Sequence, residues 1–137
     1  MRRSLRLSLL LILLLPVLPA AGEVVGQSDQ EVRAVAEPIL DNLLAGFNAG
    51  DYAQYSRDFD TTLKEAISPK KFQQTRQTIL NKMGKYEAKS FLGFLQQGRM
   101  TVVLWKGKFA KTEDDVLIKL VLSKRPEKTV VVGLWFQ

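Results

Sequence analysis

No cysteine and no histidine occur anywhere in the chain. The first absence removes disulfides, a thiol nucleophile and a lipid-modified cysteine behind a leader. The second removes the commonest metal ligand and the commonest general base at neutral pH. Together they exclude a Ser-His-Asp triad, a Cys-His dyad and the zinc sites built from those side chains. No cofactor and no metal are expected. There is also no Lys/Arg run interleaved with aromatics, so a nucleic-acid partner is not expected. The net charge of +6 overstates the basicity, because Arg2, Arg3 and Arg6 lie at the extreme N-terminus; without them 17 basic residues face 14 acidic ones. Internal repeats and low-complexity tracts are missing too, and 137 residues leave room for one domain with a real core.

What is present begins with a leader. Arg2, Arg3 and Arg6 precede an apolar run from Leu7 to Leu15 broken only by Ser8; Pro16 and Pro19 end it, and Ala20-Ala21-Gly22 supplies small residues for cleavage before Glu23. This is the three-part pattern of a signal peptide over residues 1–22. The run is shorter than the ~20 residues that span a bilayer, so no stable anchor is expected after cleavage. The mature chain is expected to be secreted or periplasmic, with a disordered segment at 23–28 and a single domain at 29–137.

Ser28 and Glu31 form a capping box at the start of a long helix. Val32, Ala36, Ile39, Leu40, Leu43, Leu44 and Phe47 line one apolar stripe along it, Pro38 falls off that stripe, and Asn48 and Gly50 end it. Pro38 predicts a kink or the start of the well-packed part. Asp51 can cap a short helix over 52–58, and Thr62 with Glu65 fits a capping box for a helix to Ile67. Ser68-Pro69 opens a last helix that Gly84 stops.

From residue 85 the period changes to two. Strands are predicted at 85–96, 99–110, 115–123 and 129–136, with turns at Gln97-Gly98, at 111–114 and around Pro126. Pairing Leu92 with Val103, Trp105 with Leu120, and Leu120 with Val132 sorts the side chains by face. The inner face then carries Leu92, Phe94, Val103, Trp105, Ile118, Leu120, Leu134 and Phe136. The outer face carries Phe91, Leu95, Met100, Val102, Leu104, Leu117, Val121, Val131 and Trp135, with Lys89, Lys106, Lys108 and Lys119 marking it as wet. That is too apolar for a solvated face, so it is read as an interface, for a homodimer or for another secreted protein; the alternative is strand twist, or a bulge near Gly93 or Gly107, that turns some of these residues inward. Helices first and strands after make an α+β protein: N-terminal helices, one of them long, on a curved four-stranded antiparallel sheet.

The segments Leu43-Leu44-Ala45-Gly46-Phe47-Asn48-Ala49-Gly50-Asp51-Tyr52, Phe59-Asp60, Met83-Gly84-Lys85-Tyr86 and Gly133-Leu134-Trp135-Phe136 carry a resemblance. In element order and in these motifs the chain resembles the nuclear transport factor two-like fold, also called SnoaL-like or cystatin-like. Within it, the chain looks most like the bacterial secreted family known as domain of unknown function 3887. The resemblance implies a cone with the long helix in the hollow of the sheet. Enzymes of the broader fold, such as ketosteroid isomerase and scytalone dehydratase, work inside that cone with Asp, Tyr or His. Here there is no His, no strand between the helices and no inward Asp on a strand.

Candidate pocket residues are Tyr52, Tyr55, Asp58, Asp60 and Trp105. Tyr52, Tyr55 and Phe59 share a helix face and either wall a pocket or pack on the core. Asp58 or Asp60 could serve as a general base if buried; the simpler role for Asp60 is a helix cap, with Arg57 pairing nearby. Trp105 either stacks a ligand or plugs the core. Lys70, Lys71, Lys82, Lys85 and Lys89 form a basic strip or a solvated surface. No residue is assigned as catalytic. The sequence reads as a secreted or periplasmic binding or interaction module; the alternative is an isomerase- or dehydratase-type enzyme using a pocket Asp and Tyr. The exported protein is expected to begin near Glu23. Intact mass spectrometry of the exported fraction checks this, and a full-length mass in the membrane fraction refutes it.

Overall fold

A computed structural model describes residues 22–137; the signal peptide expected at 1–22 falls, but for its last residue, outside the described residues. The order is α1 (Asp29–Ala49), α2 (Tyr52–Tyr55), α3 (Thr61–Ala66), α4 (Pro69–Lys82), then β1 (Tyr86–Gln97), β2 (Met100–Phe109), β3 (Val116–Lys124) and β4 (Thr129–Phe136). The strands form one antiparallel meander in the order β1-β2-β3-β4. The class is α+β.

The helix boundaries follow local chemistry. The Ser28 hydroxyl accepts the Glu31 N–H, and Gly50 closes α1 in the left-handed region at φ 70°. Pro38 lies on the exposed side of α1, inside a single continuous helix. The α2 helix is one turn long, shorter than the predicted 52–58. Asp60, not Thr62, caps α3: its Oδ1 accepts the Leu63 N–H at 2.8 Å. Ser68 caps α4 with Pro69 in its first turn.

Residues 23–28, expected to be disordered, are tied down instead. Glu23 exchanges two backbone hydrogen bonds with Lys124, and the Val25 N–H reaches the Thr101 hydroxyl at 3.1 Å. They extend the sheet beyond the start of β2 and deliver the chain to the cap of α1.

The stripe on α1 lies on the inner sheet face. Leu40, Leu44, Trp105, Ile118, Leu120, Leu122 and Val131 are completely buried in one cluster, which Phe47, Phe109 and Val103 complete. Phe136 meets Phe47 edge-on at 5.6 Å and Phe109 at 5.5 Å. The space between the long helix and the sheet is therefore filled with side chains.

The register departs from the predicted pairing in two ways with different consequences. Trp105 faces Ile118 and Val103 faces Leu120, a slip by two residues that keeps every side chain on its expected face. In β1 the pairing steps from Phe91–Trp105 to Gly93–Leu104, so Leu92 is an extra residue in a bulge. A slip by one reverses the faces. Phe91 and Lys89, expected outside, turn inward, while Leu92, expected in the core, stands 57% exposed. A bulge in β4 at Val132 turns Val131 inward as well, since Leu120 pairs with Leu134 and Leu122 with Val131. Phe91 and Val131 thus leave the predicted interface. Replacing Leu120 by Ala should cost about 2–5 kcal/mol as a core cavity, whereas Leu92→Ala should stay within about 0.5 kcal/mol as a surface change. Urea unfolding of the two variants measures both, and equal losses would refute the bulge.

Candidate functional site

A polar cluster lies where α1 crosses the sheet. Arg33, Glu37 and Asp41 are spaced four apart on α1, so they share one face. The indole N–H of the fully buried Trp105 donates to Glu37 Oε1 at 3.1 Å. The ammonium of Lys89, turned inward by the bulge, donates to Glu37 Oε2 and pairs with Asp41 at 2.8 Å. Arg33 pairs with Glu37 at 3.3 Å and rests 5.0 Å above the Phe91 ring, which packs edge-on against Trp105. Burial alone would raise the Glu37 pKa; hydrogen bonds from Lys89 and Trp105 and the charges of Lys89 and Arg33 outweigh it and hold the carboxyl below its ordinary value. Burial would lower Lys89, but its hydrogen bonds to Asp41 and Glu37, and their charges, leave it raised. Both groups stay ionised at neutral pH, which suits a clamp and not a proton-transfer pair.

The candidate pocket residues fall in three separate places. Tyr52 and Tyr55 come together against α4. The Tyr52 hydroxyl donates to the Ile67 carbonyl at 2.6 Å, and Tyr55 stacks on Phe72 at 4.4 Å and meets Phe59 at 5.1 Å. Burial, with a smaller contribution from Tyr52, pushes the Tyr55 phenol up to about 12. Asp58 and Asp60 flank a strand-like stretch beside β4: the Val131 N–H donates to the Asp58 carbonyl and the Asp60 N–H to the Val131 carbonyl. Asp60 caps α3 and lies 3.6 Å from Arg125, while Asp58 pairs with Arg57 at 3.5 Å and Lys128 at 3.8 Å. An open cleft of about 440 Å³ separates Asp60 and Thr61 from Arg125 and Lys128. Trp105 belongs to neither place; it lies in the core beneath α1. Lys70, Lys71, Lys82 and Lys85 are exposed, but Lys89 is drawn off the strip into the clamp.

The outer sheet face holds a third group. Leu95 faces Val102, which faces Val121, which faces Gly133; the next row is Gly93, Leu104, Lys119 and Trp135. The Trp135 indole lies over Gly133, where any added Cβ would collide with it. Leu92, Leu95, Met100 and Trp135 are each more than 40% exposed. The lysines of this face are partly engaged: Lys119 sits 4.9 Å over Trp135, and Lys108 pairs with Asp115 at 2.6 Å.

A family model described as Protein of unknown function (DUF3887) matches residues 41–125, more than half of the chain. The chain belongs to this family. Among curated proteins and among solved structures, nothing matches. The DUF3887 span opens at Asp41 in α1 and closes at Arg125 after β3, so it takes in Lys89, Trp105 and the aspartate pair and leaves out Glu37 and β4. Among the described residues no group of His, Cys, Asp or Glu could hold a metal ion, and no helix is long and apolar enough to cross a membrane.

Sequence reasoning missed Arg33, Glu37 and Asp41, although their four-residue spacing was a signal. It placed Lys89 on the wrong face for want of the bulge, and it gave no role to Arg125 and Lys128. The clamp makes a prediction. Glu37 has a lowered pKa, so its contribution is present above the ordinary value of 4.5 and fades as pH falls through its folded value. Lys89 has a raised pKa, so its contribution holds below 10.5 and is lost as pH rises through its folded value. Glu37→Gln should cost about 1–3 kcal/mol at neutral pH, less than a fully buried pair. The gap to wild type should narrow as pH falls below 4.5, measured by urea unfolding across that range; a pH-independent gap would refute the clamp.

Proposed function

We propose that the chain is an exported, non-catalytic interaction module on the nuclear transport factor two-like plan, and that it pairs with a second copy through the outer face of its sheet. One observation carries this reading: Leu92, Leu95, Met100 and Trp135, the exposed large hydrophobics, all belong to β1 and β4 or the first residue of β2, around that face. Single exposed apolar residues need no explanation, but Leu92, Leu95 and Met100 gather on the adjacent strands β1 and β2, with Trp135 across the sheet on β4 and the apolar Val102 and Val121 between them.

The size of the face fits a second copy. Four strands at about 4.8 Å and ten residues at about 3.3 Å give roughly 600 Å². Two such faces bury about 1,200 Å², the lower end of a specific interface. A two-fold axis makes the contact self-complementary and closed. Two of the lysines of this face are engaged within the chain, Lys119 over Trp135 and Lys108 with Asp115, which lowers the like-charge repulsion that pairing meets. The non-catalytic part of the reading is supported by the filled interior and by the duties of the acidic groups: Asp60 caps a helix, Asp58 pairs with cations, and Glu37 is held ionised. The leader supports export.

Sedimentation of the mature protein at tens of micromolar tests this. Wild type should run as a dimer and Leu95→Lys as a monomer with unchanged thermal unfolding of the monomer fold. A wild-type monomer, or a dimer indifferent to Leu95→Lys, overturns the pairing.

A further inference from the structure

A mostly enclosed cavity of about 150 Å³ lies between the C-terminal end of α1, the one-turn α2 and α4. It is separate from the filled interior under α1 and from the outer sheet face. Phe47, Tyr55, Ile67, Phe72 and Ile79 make its walls. An apolar cavity of about this size holds one benzene-sized molecule, well below the volume that drug-sized ligands need.

Two features point to a ligand and to its chemistry. The first is Tyr55. It keeps 8% of its surface, yet its hydroxyl makes no hydrogen bond among the described residues. Its neighbour Tyr52 is satisfied by the Ile67 carbonyl. The hydroxyl is not sealed in the core but keeps contact with solvent, so its O–H is free for a guest in the cavity that Tyr55 lines. Because burial raises its pKa, the group remains a neutral donor at physiological pH.

The second is charge. Arg76 and Lys71 also line the cavity, and neither makes an ion pair among the described residues. Arg76 is fixed by two hydrogen bonds, from Nε to the Phe47 carbonyl at 2.6 Å and from Nη2 to the Asn48 carbonyl at 2.8 Å, where α1 ends. Those bonds satisfy helix carbonyls and leave Nη1 unassigned. Lys71 is exposed in the first turn of α4 and marks the open side. An apolar chamber with a neutral phenol donor and two cations at its rim, neither in an ion pair, suits an apolar body whose small anion stays at the mouth.

We infer that this cavity is a binding site for a single-ring aromatic carboxylate, with the ring against Phe47 and Phe72 and the carboxylate received by Tyr55, Lys71 and Arg76. It does not depend on pairing of the sheet faces, and a monomer would bind equally.

The probe is sodium benzoate, titrated into the isotopically labelled protein and followed by amide NMR shifts, with benzyl alcohol as the uncharged control. Saturable shifts should centre on Tyr55, Phe72, Arg76 and Ile79, with benzyl alcohol binding more weakly. Tyr55→Phe should weaken benzoate about tenfold, the loss of one hydrogen bond to a charged group. Lys71→Met, a surface change that leaves folding intact, should weaken benzoate about threefold and leave benzyl alcohol unchanged. Ile79→Phe fills the chamber and should abolish both. No saturable binding at millimolar benzoate, shifts centred elsewhere, or affinity unchanged in both Tyr55→Phe and Lys71→Met overturns the site; benzyl alcohol binding as tightly as benzoate overturns the carboxylate preference.

Discussion

The indole of Trp105 has to place its N–H. The side chain is completely buried in the middle of β2, and an unpaired donor there would cost about 1–3 kcal/mol. Glu37 accepts it, which brings a carboxylate against the core. That carboxylate must in turn be neutralised, and Lys89 does so from β1. Lys89 can reach inward only because the strand gains a residue at Leu92. One buried ring thus sets the register of a helix on the sheet, the charge of its neighbours and the irregularity of an edge strand. The price of the arrangement is an exposed leucine.

The same logic separates the two ends of the helical layer. Near the middle of α1 each polar group has a partner, and the packing is closed. At its C-terminal end the contacts are between rings and the ends of short helices, which cannot interdigitate as completely as a long stripe does. Arg76 supports that end by holding the last carbonyls of α1, while its charge is left without a counter-ion. The layer is therefore rigid where the sheet grips it and hollow where helix meets helix.

Much of this was legible in the residues. Ser28, Gly50, Ser68 and Pro69 mark helix limits through chemistry that acts within a few positions, and so they are readable locally. The alternation in β2 and β3 gave the correct faces despite a register error, because a slip by two preserves parity. Gly93 leaves a bulge open as an alternative to the regular register, and the structure takes it at Leu92; the bulge at Val132 had no such signal, because Val131-Val132 is an ordinary strand sequence. The same holds for the candidate site. Tyr52 and Tyr55 were found by helical spacing, but their companions Phe72 and Arg76 are supplied by α4, and no periodicity connects the two helices. Asp60 was recognised as a cap from its position, whereas Arg125 across the cleft could not be.

The stretch from Asp58 to Asp60 has a consequence for the solution behaviour of the protein. By hydrogen bonding to Val131 it occupies part of the free margin of β4, and the bulge at Leu92, with a further register shift at Glu87, interrupts the opposite margin. Sheets that expose flat margins recruit further strands and grow into fibres. Here both margins are interrupted, one by a bonded segment and the other by bulges, which makes each a poorer template for a further strand. Each interruption makes sideways addition of strands less favourable.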